Sequence, residues 1–136
     1  QDRYNLLNRE VEQQGLAAKA KEAGAGFVAF SPLAQGLLSD KYLSGKVEKG
    51  SRMALGHFLR RTALTEELLK RLNRLSEIAS ERGQSLAEMA LAWLLKDDSV
   101  TSVIVGASSV NQLQKNLNAL MNTSFSTEEL ALIDNA

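Results

Sequence analysis

The sequence predicts an α/β fold of parallel strand-helix units forming part of a larger barrel, on three observations. Two continuous apolar runs, Gly26 to Phe30 and Thr101 to Val105, are flanked by turn residues, as strands buried on both faces are. Amphipathic helical patterns lie between and after them, giving the order strand, helix, strand, long loop, helices, strand, helix. At 136 residues the chain is too short to close an eight-stranded barrel, which takes about 250 residues. Two or three parallel strands with helices on one side leave open edges and a bare face, so half a barrel reconciles pattern with length. The chain opens on Gln1 rather than methionine and is read as a fragment.

Each element has a local cause. Gln1 to Tyr4 is a short strand remnant, and a helix is expected from about Glu10 to Ala23, closed by Gly24. The strand Gly26 to Phe30 leads into the loop "SPLAQGLLSDKY". In "TEELLKRLNRLSEIASERG" the residues Leu68, Leu72, Leu75 and Ile78 form one apolar stripe, and Gly83 is a C-cap. In "QSLAEMALAWLLKDD" the stripe is Leu86, Met89, Ala90, Trp93 and Leu94, opened by a capping box of Ser85 and Glu88. The strand Thr101 to Val105 stops at Gly106 and a polar helix follows. A second capping box, Ser126 with Glu129, opens the last helix before Leu130 and Ile133.

Composition removes several functions. Apolar residues make up 44% of the chain, enough for a core, and sixteen basic residues cancel sixteen acidic ones without any block of like charge. Nothing suggests a nucleic-acid surface or a membrane-binding face, so an anionic ligand must be gripped locally. Cysteine is absent, which rules out disulfides, thiolate metal sites and cysteine nucleophiles. With no apolar run of membrane-spanning length, a soluble cytoplasmic protein is the default expectation. Open strand edges also make self-association of the fragment an expectation.

Two loops carry the chemistry. After Val105, Gly106 lets the chain turn tightly, and the first N–H groups of the next helix point without partners toward the strand end, a ready anion site. Ser108 offers a hydroxyl there, while Gln112 and Asn116, one turn apart, present amides that both donate and accept. The alternative is a plain capping box, since Ser109 and Gln112 fit S-x-x-Q. After Phe30 come a hydroxyl, the only proline, a glycine, then Ser39 and Lys41, with Arg52 further on; such a loop can wrap a diphosphate and supply cations. Its alternative is an ordinary strand-to-helix loop with surface cations.

Taken together, Gln1 with "YNLLNR", "FSPLAQGLLSDKY", "SR" and "VIVGASSVNQLQKN" resemble the C-terminal half of the aldo-keto reductase family, in particular its bacterial members related to potassium-channel β subunits. The likeness spans essentially the whole chain in order and spacing. It implies about the last three βα units of a (β/α)8 TIM barrel that binds NADPH, with the N-terminal half absent. Carried over by position, it implies that Gln1 holds the nicotinamide carboxamide and Phe30 lies against the ring. Ser31, Pro32, Leu33, Gln35 and Gly36 would line the diphosphate path, with Ser39 and Lys41 beside it. Arg52 would reach the adenosine side, Gly106 and Ser108 the 2′-phosphate, and Gln112 and Asn116 the adenine. Lys115 departs from the pattern, for relatives usually carry an acidic residue there.

The implied substrate is a small carbonyl compound, and the implied proton donor is a tyrosine tuned by lysine, aspartate and histidine, all belonging to the missing half. No catalytic residue and no metal ligand are assigned to this segment, and alone it is expected to be inactive. Tyr4 is read as packing at a strand end and Tyr42 as following the loop lysine. His57, Phe58 and Leu59 are read as loop residues, Asp97 and Asp98 as a solvated turn, and Trp93 as core. Three functions stay open: the cofactor-holding half of a carbonyl reductase, a regulatory cofactor-sensing module of the channel β-subunit type, and an inactive fragment.

Overall fold

A computed structural model of the chain describes residues 1–46 and 64–136. The sequence readings on Arg52, His57, Phe58 and Leu59 lie outside the described residues. Three short strands, β1 (Asp2–Arg3), β2 (Val28–Phe30) and β3 (Ser102–Val103), form one parallel sheet in the order β1-β2-β3. Register pairs Asp2 with Ala29 and Arg3 with Phe30, then Val28 with Ser102 and Ala29 with Val103. All three expected strands are present, each shorter than its expected span.

The helices pack on one face of this sheet. They are α1 (Glu10–Gln14), α2 (Leu16–Glu22), α3 (Glu66–Glu81), α4 (Leu86–Leu94), α5 (Val110–Asn118) and α6 (Thr127–Asp134). The single helix expected from Glu10 to Ala23 is two helices, because Gly15 adopts φ 62 and breaks the run. That left-handed conformation costs glycine little and other residues more. Both expected capping boxes form, Ser85 with Glu88 at the start of α4 and Ser126 with Glu129 at the start of α6. Gly83 follows α3 at φ 69, as a C-cap glycine does.

Alternation along the strands divides core from open surface. Tyr4, Phe27 and Ala29 face the helices and are buried with Leu72, Leu75, Leu86, Met89 and Trp93, and Val103, the partner of Ala29, packs half-buried against them. Tyr4 packs edge-on to Phe27 at 6.3 Å and tilted to Trp93 at 5.3 Å. Arg9 and Lys96 lie over the same indole, at 5.1 and 4.2 Å. Trp93 is therefore both a core residue and a platform for two cations. Burial, then the hydrogen bond to Glu12 Oε1, pushes the Tyr4 hydroxyl above the ordinary tyrosine range, which keeps it neutral and unsuited to proton transfer.

On the other side of the sheet Phe30 is 37% exposed and Ile104 49%. A second uncovered surface runs along α5, where Val110, Leu113 and Leu117 are exposed while Asn116 is buried on the opposite side. Large apolar side chains left in water over two contiguous surfaces mark faces meant to be covered. Among the described residues no helix is long and apolar enough to cross a membrane, and no group of three acidic or histidine side chains is arranged to hold a metal.

Replacement of Trp93, 1% exposed, by alanine is expected to cost about 3–5 kcal/mol of stability. Leu132→Ala, at a position 49% exposed, is expected to change stability by less than about 0.5 kcal/mol, and urea unfolding of the two variants checks the contrast. Glu88 gives an acid-dependent test. Its partial burial raises the carboxyl pKa, but the hydrogen bonds from the Ser85 backbone and hydroxyl outweigh that and hold it below the ordinary 4.5. A depressed folded value contributes stability above about pH 4.5 that is lost as pH falls through the folded pKa. Glu88→Gln is therefore expected to flatten the acid limb of a stability-against-pH curve, measured from pH 7 downward.

Candidate functional site

Parallel pairing places the loops after β2 and β3 at the same end of the sheet, and a groove of about 600 Å³ lies between them. Its lining includes Phe30, Ser31, Pro32, Leu33, Gln35, Gly36 and Lys41 from the first loop. The second contributes Gly106, Ser108 and Gln112, and Ile104 and Val105 add apolar wall. Ten side chains or backbone positions singled out in the sequence thus share one concavity. Ser39 and Asn116 do not line it, Gln1 is exposed at the start of β1, and Arg52 is outside the described residues.

The first loop is built under strain. Ser31, Ala34 and Gln35 all adopt positive φ, at 55, 46 and 59, followed by Gly36 at 97. A left-handed conformation outside glycine costs about 1–3 kcal/mol and persists only where the surroundings enforce it, often at ligand sites. Pro32 fixes its own φ, and the hydrogen bonds Ala34 N–H to Ser31 O, Gly36 N–H to Leu33 O and Leu38 N–H to Leu33 O close the turns. Leu33 lies near the right-handed region, φ −100 and ψ 17, and Ala34 is left-handed. Such an alternation turns successive N–H groups toward one side and favours anions. Ser39 secures the far end, its hydroxyl donating to Gly36 O at 2.6 Å.

One residue that holds this loop went unnoticed in the sequence. Asn5, 2% exposed, donates through Nδ2 to Ser31 O at 2.9 Å, while its Oδ1 accepts from the Leu7 and Asn8 N–H groups. It therefore ties the turn after β1 to the strained start of the loop after β2. The only sequence signal is an asparagine opening a turn-forming "NLLN", an Asx-turn pattern common enough to pass as ordinary. Ala34 and Gln35 give no signal at all, since neither type favours φ above zero.

The second loop resolves the two readings of its helix start. Ser109 is the N-cap, accepting from the Gln112 N–H at 3.2 Å, so the capping half is real. The Gln112 side chain, however, does not return to Ser109. Its Oε1 accepts from both the Ser108 N–H, at 2.8 Å, and the Ser108 hydroxyl, at 2.9 Å. Ser108 thus presents two donors to one point, which the Gln112 oxygen occupies. Asn116 is 7% exposed and its Nδ2 has no partner among the described residues, and Lys115 acts electrostatically on Glu88 of α4.

Two observations test the groove against a dinucleotide. The Gln35 Oε1 is buried and has no hydrogen-bond partner among the described residues, an acceptor that a ribose hydroxyl would satisfy. Lys41 has no carboxylate within ion-pair distance among the described residues, so its charge is available to a phosphate. A strained backbone cradle, an available cation and a two-donor point at the far loop fit an elongated anion with polar ends.

The model of the Aldo/keto reductase family matches residues 1–136. An L-glyceraldehyde 3-phosphate reductase of Escherichia coli O157:H7 is 53% identical over 137 residues, covering 98% of this chain and 40% of the relative. A probable voltage-gated potassium channel subunit beta of Oryza sativa subsp. japonica is 38% identical, over 88% of this chain and 37% of its own. Among solved structures, a thermostable aldo-keto reductase crystallised with the inhibitor epalrestat aligns with TM-score 0.65 and 29% identity, over 98% of this chain and 37% of that one. The chain spans about 40% of the length of the curated relatives it matches, and it forms part of their barrel.

Asn5→Leu is expected to lower stability by about 1–3 kcal/mol, because it removes three hydrogen bonds and leaves the Leu7 N–H without its partner, while Ser31 O keeps the Ala34 N–H and the Asn8 N–H keeps the Asn5 backbone oxygen. Urea unfolding checks the loss; a change below about 0.5 kcal/mol would show that the turn holds without Asn5.

Proposed function

The chain belongs to the aldo/keto reductase family, and from that membership we propose that it is the cofactor-holding part of an NADPH-dependent reductase of aldehydes or ketones. The observation that carries the proposal is the convergence of both anion-suited loops on one groove. NADPH, when bound, supplies the hydride that passes to the carbonyl carbon. The residues of this segment bind and orient. Phe30, at the end of β2 on the open face, offers a flat apolar surface to a pyridine ring. The strained Ser31 to Gly36 backbone receives the diphosphate, with Lys41 neutralising charge, and Gln35 Oε1 takes a ribose hydroxyl. At the other loop, Ser108 exchanges its internal acceptor, Gln112 Oε1, for a 2′-phosphate oxygen.

The developing alkoxide needs a proton, and in this reading the donor comes from the part of the barrel outside these residues, where water is excluded once the barrel closes. Tyr4 is unavailable, being buried and committed to Glu12. The substrate class we propose is a small aldehyde, including phosphorylated ones, on the likeness to the E. coli reductase. The likeness to a potassium channel subunit beta keeps a second reading, in which bound cofactor is sensed rather than turned over. Carbonyl turnover by the complete protein separates the two.

In the complete protein, Arg52→Ala is expected to weaken NADPH about tenfold, as loss of one charge-assisted contact does, and NADH by clearly less, whereas Lys41→Ala, at the diphosphate common to both, is expected to weaken the two alike. Fluorescence titration with both nucleotides decides. Equal weakening of the two by Arg52→Ala would show that Arg52 does not read the 2′-phosphate.

A further inference from the structure

We propose that Arg3 is the specificity-determining residue for an anionic group on the carbonyl substrate, a phosphate or a carboxylate; this rests on the reductase reading above. Arg3 ends β1 and is paired in register with Phe30 of β2. Parallel partners project to the same face, so Arg3 shares the open face with the ring proposed to meet the pyridine. Its neighbour Tyr4 points the other way, into the helix-packed core. Adjacent strands lie about 4.8 Å apart, which places the Arg3 and Phe30 side chains side by side at the strand ends.

The guanidinium is held, and held incompletely. With the Asn8 amide in the orientation that matches donors to acceptors, Asn8 Oδ1 accepts from Arg3 Nη2 at 3.0 Å and Asn8 Nδ2 donates to Arg3 O at 3.2 Å. Asn8 is itself fixed by reciprocal backbone bonds with Asn5 and by the Asn5 side chain. The arginine is thereby drawn toward the turn that follows β1, at the end of the sheet where the groove opens. Among the described residues no carboxylate lies within ion-pair distance of it. Arg3 is exposed on the open face of this segment. Its remaining N–H groups form a planar fork suited to phosphate or carboxylate, which an ammonium or a hydroxyl would match less well.

The test uses the complete protein, with L-glyceraldehyde 3-phosphate, succinic semialdehyde and uncharged L-glyceraldehyde as substrates. Arg3→Leu is expected to raise KM at least about tenfold for whichever anionic aldehyde the parent prefers, the size of one lost charge-assisted contact. kcat, NADPH affinity and the KM for L-glyceraldehyde are expected to stay within about twofold, and Arg3→Lys to fall between parent and Arg3→Leu. Calorimetric titration with glycerol 3-phosphate supplies a readout without turnover: heat of binding to the parent and none to Arg3→Leu supports the assignment. Equal KM changes for charged and neutral aldehydes, or no change for either, would overturn it and point to a carboxylate elsewhere in the barrel as the partner. A parent that binds NADPH and reduces L-glyceraldehyde yet favours neither anionic aldehyde overturns this inference alone. A parent that reduces none of the three overturns the reductase reading and the inference together.

Discussion

Parallel pairing of β2 with β3 is the constraint on which the rest of this structure depends. Two strands that ran antiparallel would send their following loops to opposite ends of the sheet. Because Val28 and Ala29 pair with Ser102 and Val103 in the same direction, the loops after Phe30 and Val105 leave from one end and bound one groove. A parallel connection requires a long crossover, and α3 and α4 supply it while burying the helix-facing side of the sheet. Packing energy in the core thus fixes where the polar chemistry can occur.

Strain at the groove is supported from below. Three non-glycine departures into left-handed backbone within five residues need support from their surroundings, and one anchor is Asn5, whose buried amide joins two turns that are distant in sequence. The same turn positions Arg3 through Asn8. A loop held in one bent shape has less conformational entropy to lose in any binding it makes. In the second loop the corresponding preorganisation is the Gln112 oxygen, which keeps the Ser108 donors convergent.

Much of the fold could be read from residues because its causes are local. The stripes of α3 and α4, the capping boxes at Ser85 and Ser126 and the glycine after α3 depend on neighbours a turn away. The break at Gly15 is also local in cause: an apolar period continued through a glycine, and the left-handed backbone at that glycine ended the first helix. At the site, Phe30, Gly36, Lys41, Gly106 and Ser108 were visible as residue types after a strand. Asn5 was not, because its partner Ser31 O is 26 positions away and long-range hydrogen bonds leave no local pattern. The Gln112 bond to Ser108 rather than Ser109 was equally invisible, since either geometry fits the same letters.

The uncovered surfaces give the fragmentary barrel a physical meaning. Phe30 and Ile104 on the bare sheet face, and Val110, Leu113 and Leu117 along α5, are surfaces that the remaining strands and helices of a closed barrel would bury. Closure would also lower the dielectric around the groove and strengthen each of its electrostatic contacts. The most direct measurement is a crystal structure of the complete protein grown with NADPH. The account predicts continuous density from Phe30, past the Ser31 to Gly36 backbone and Lys41, to Ser108 with Gln112 turned away. Density that bypasses either loop, or a cofactor seated against another face of the sheet, would contradict it.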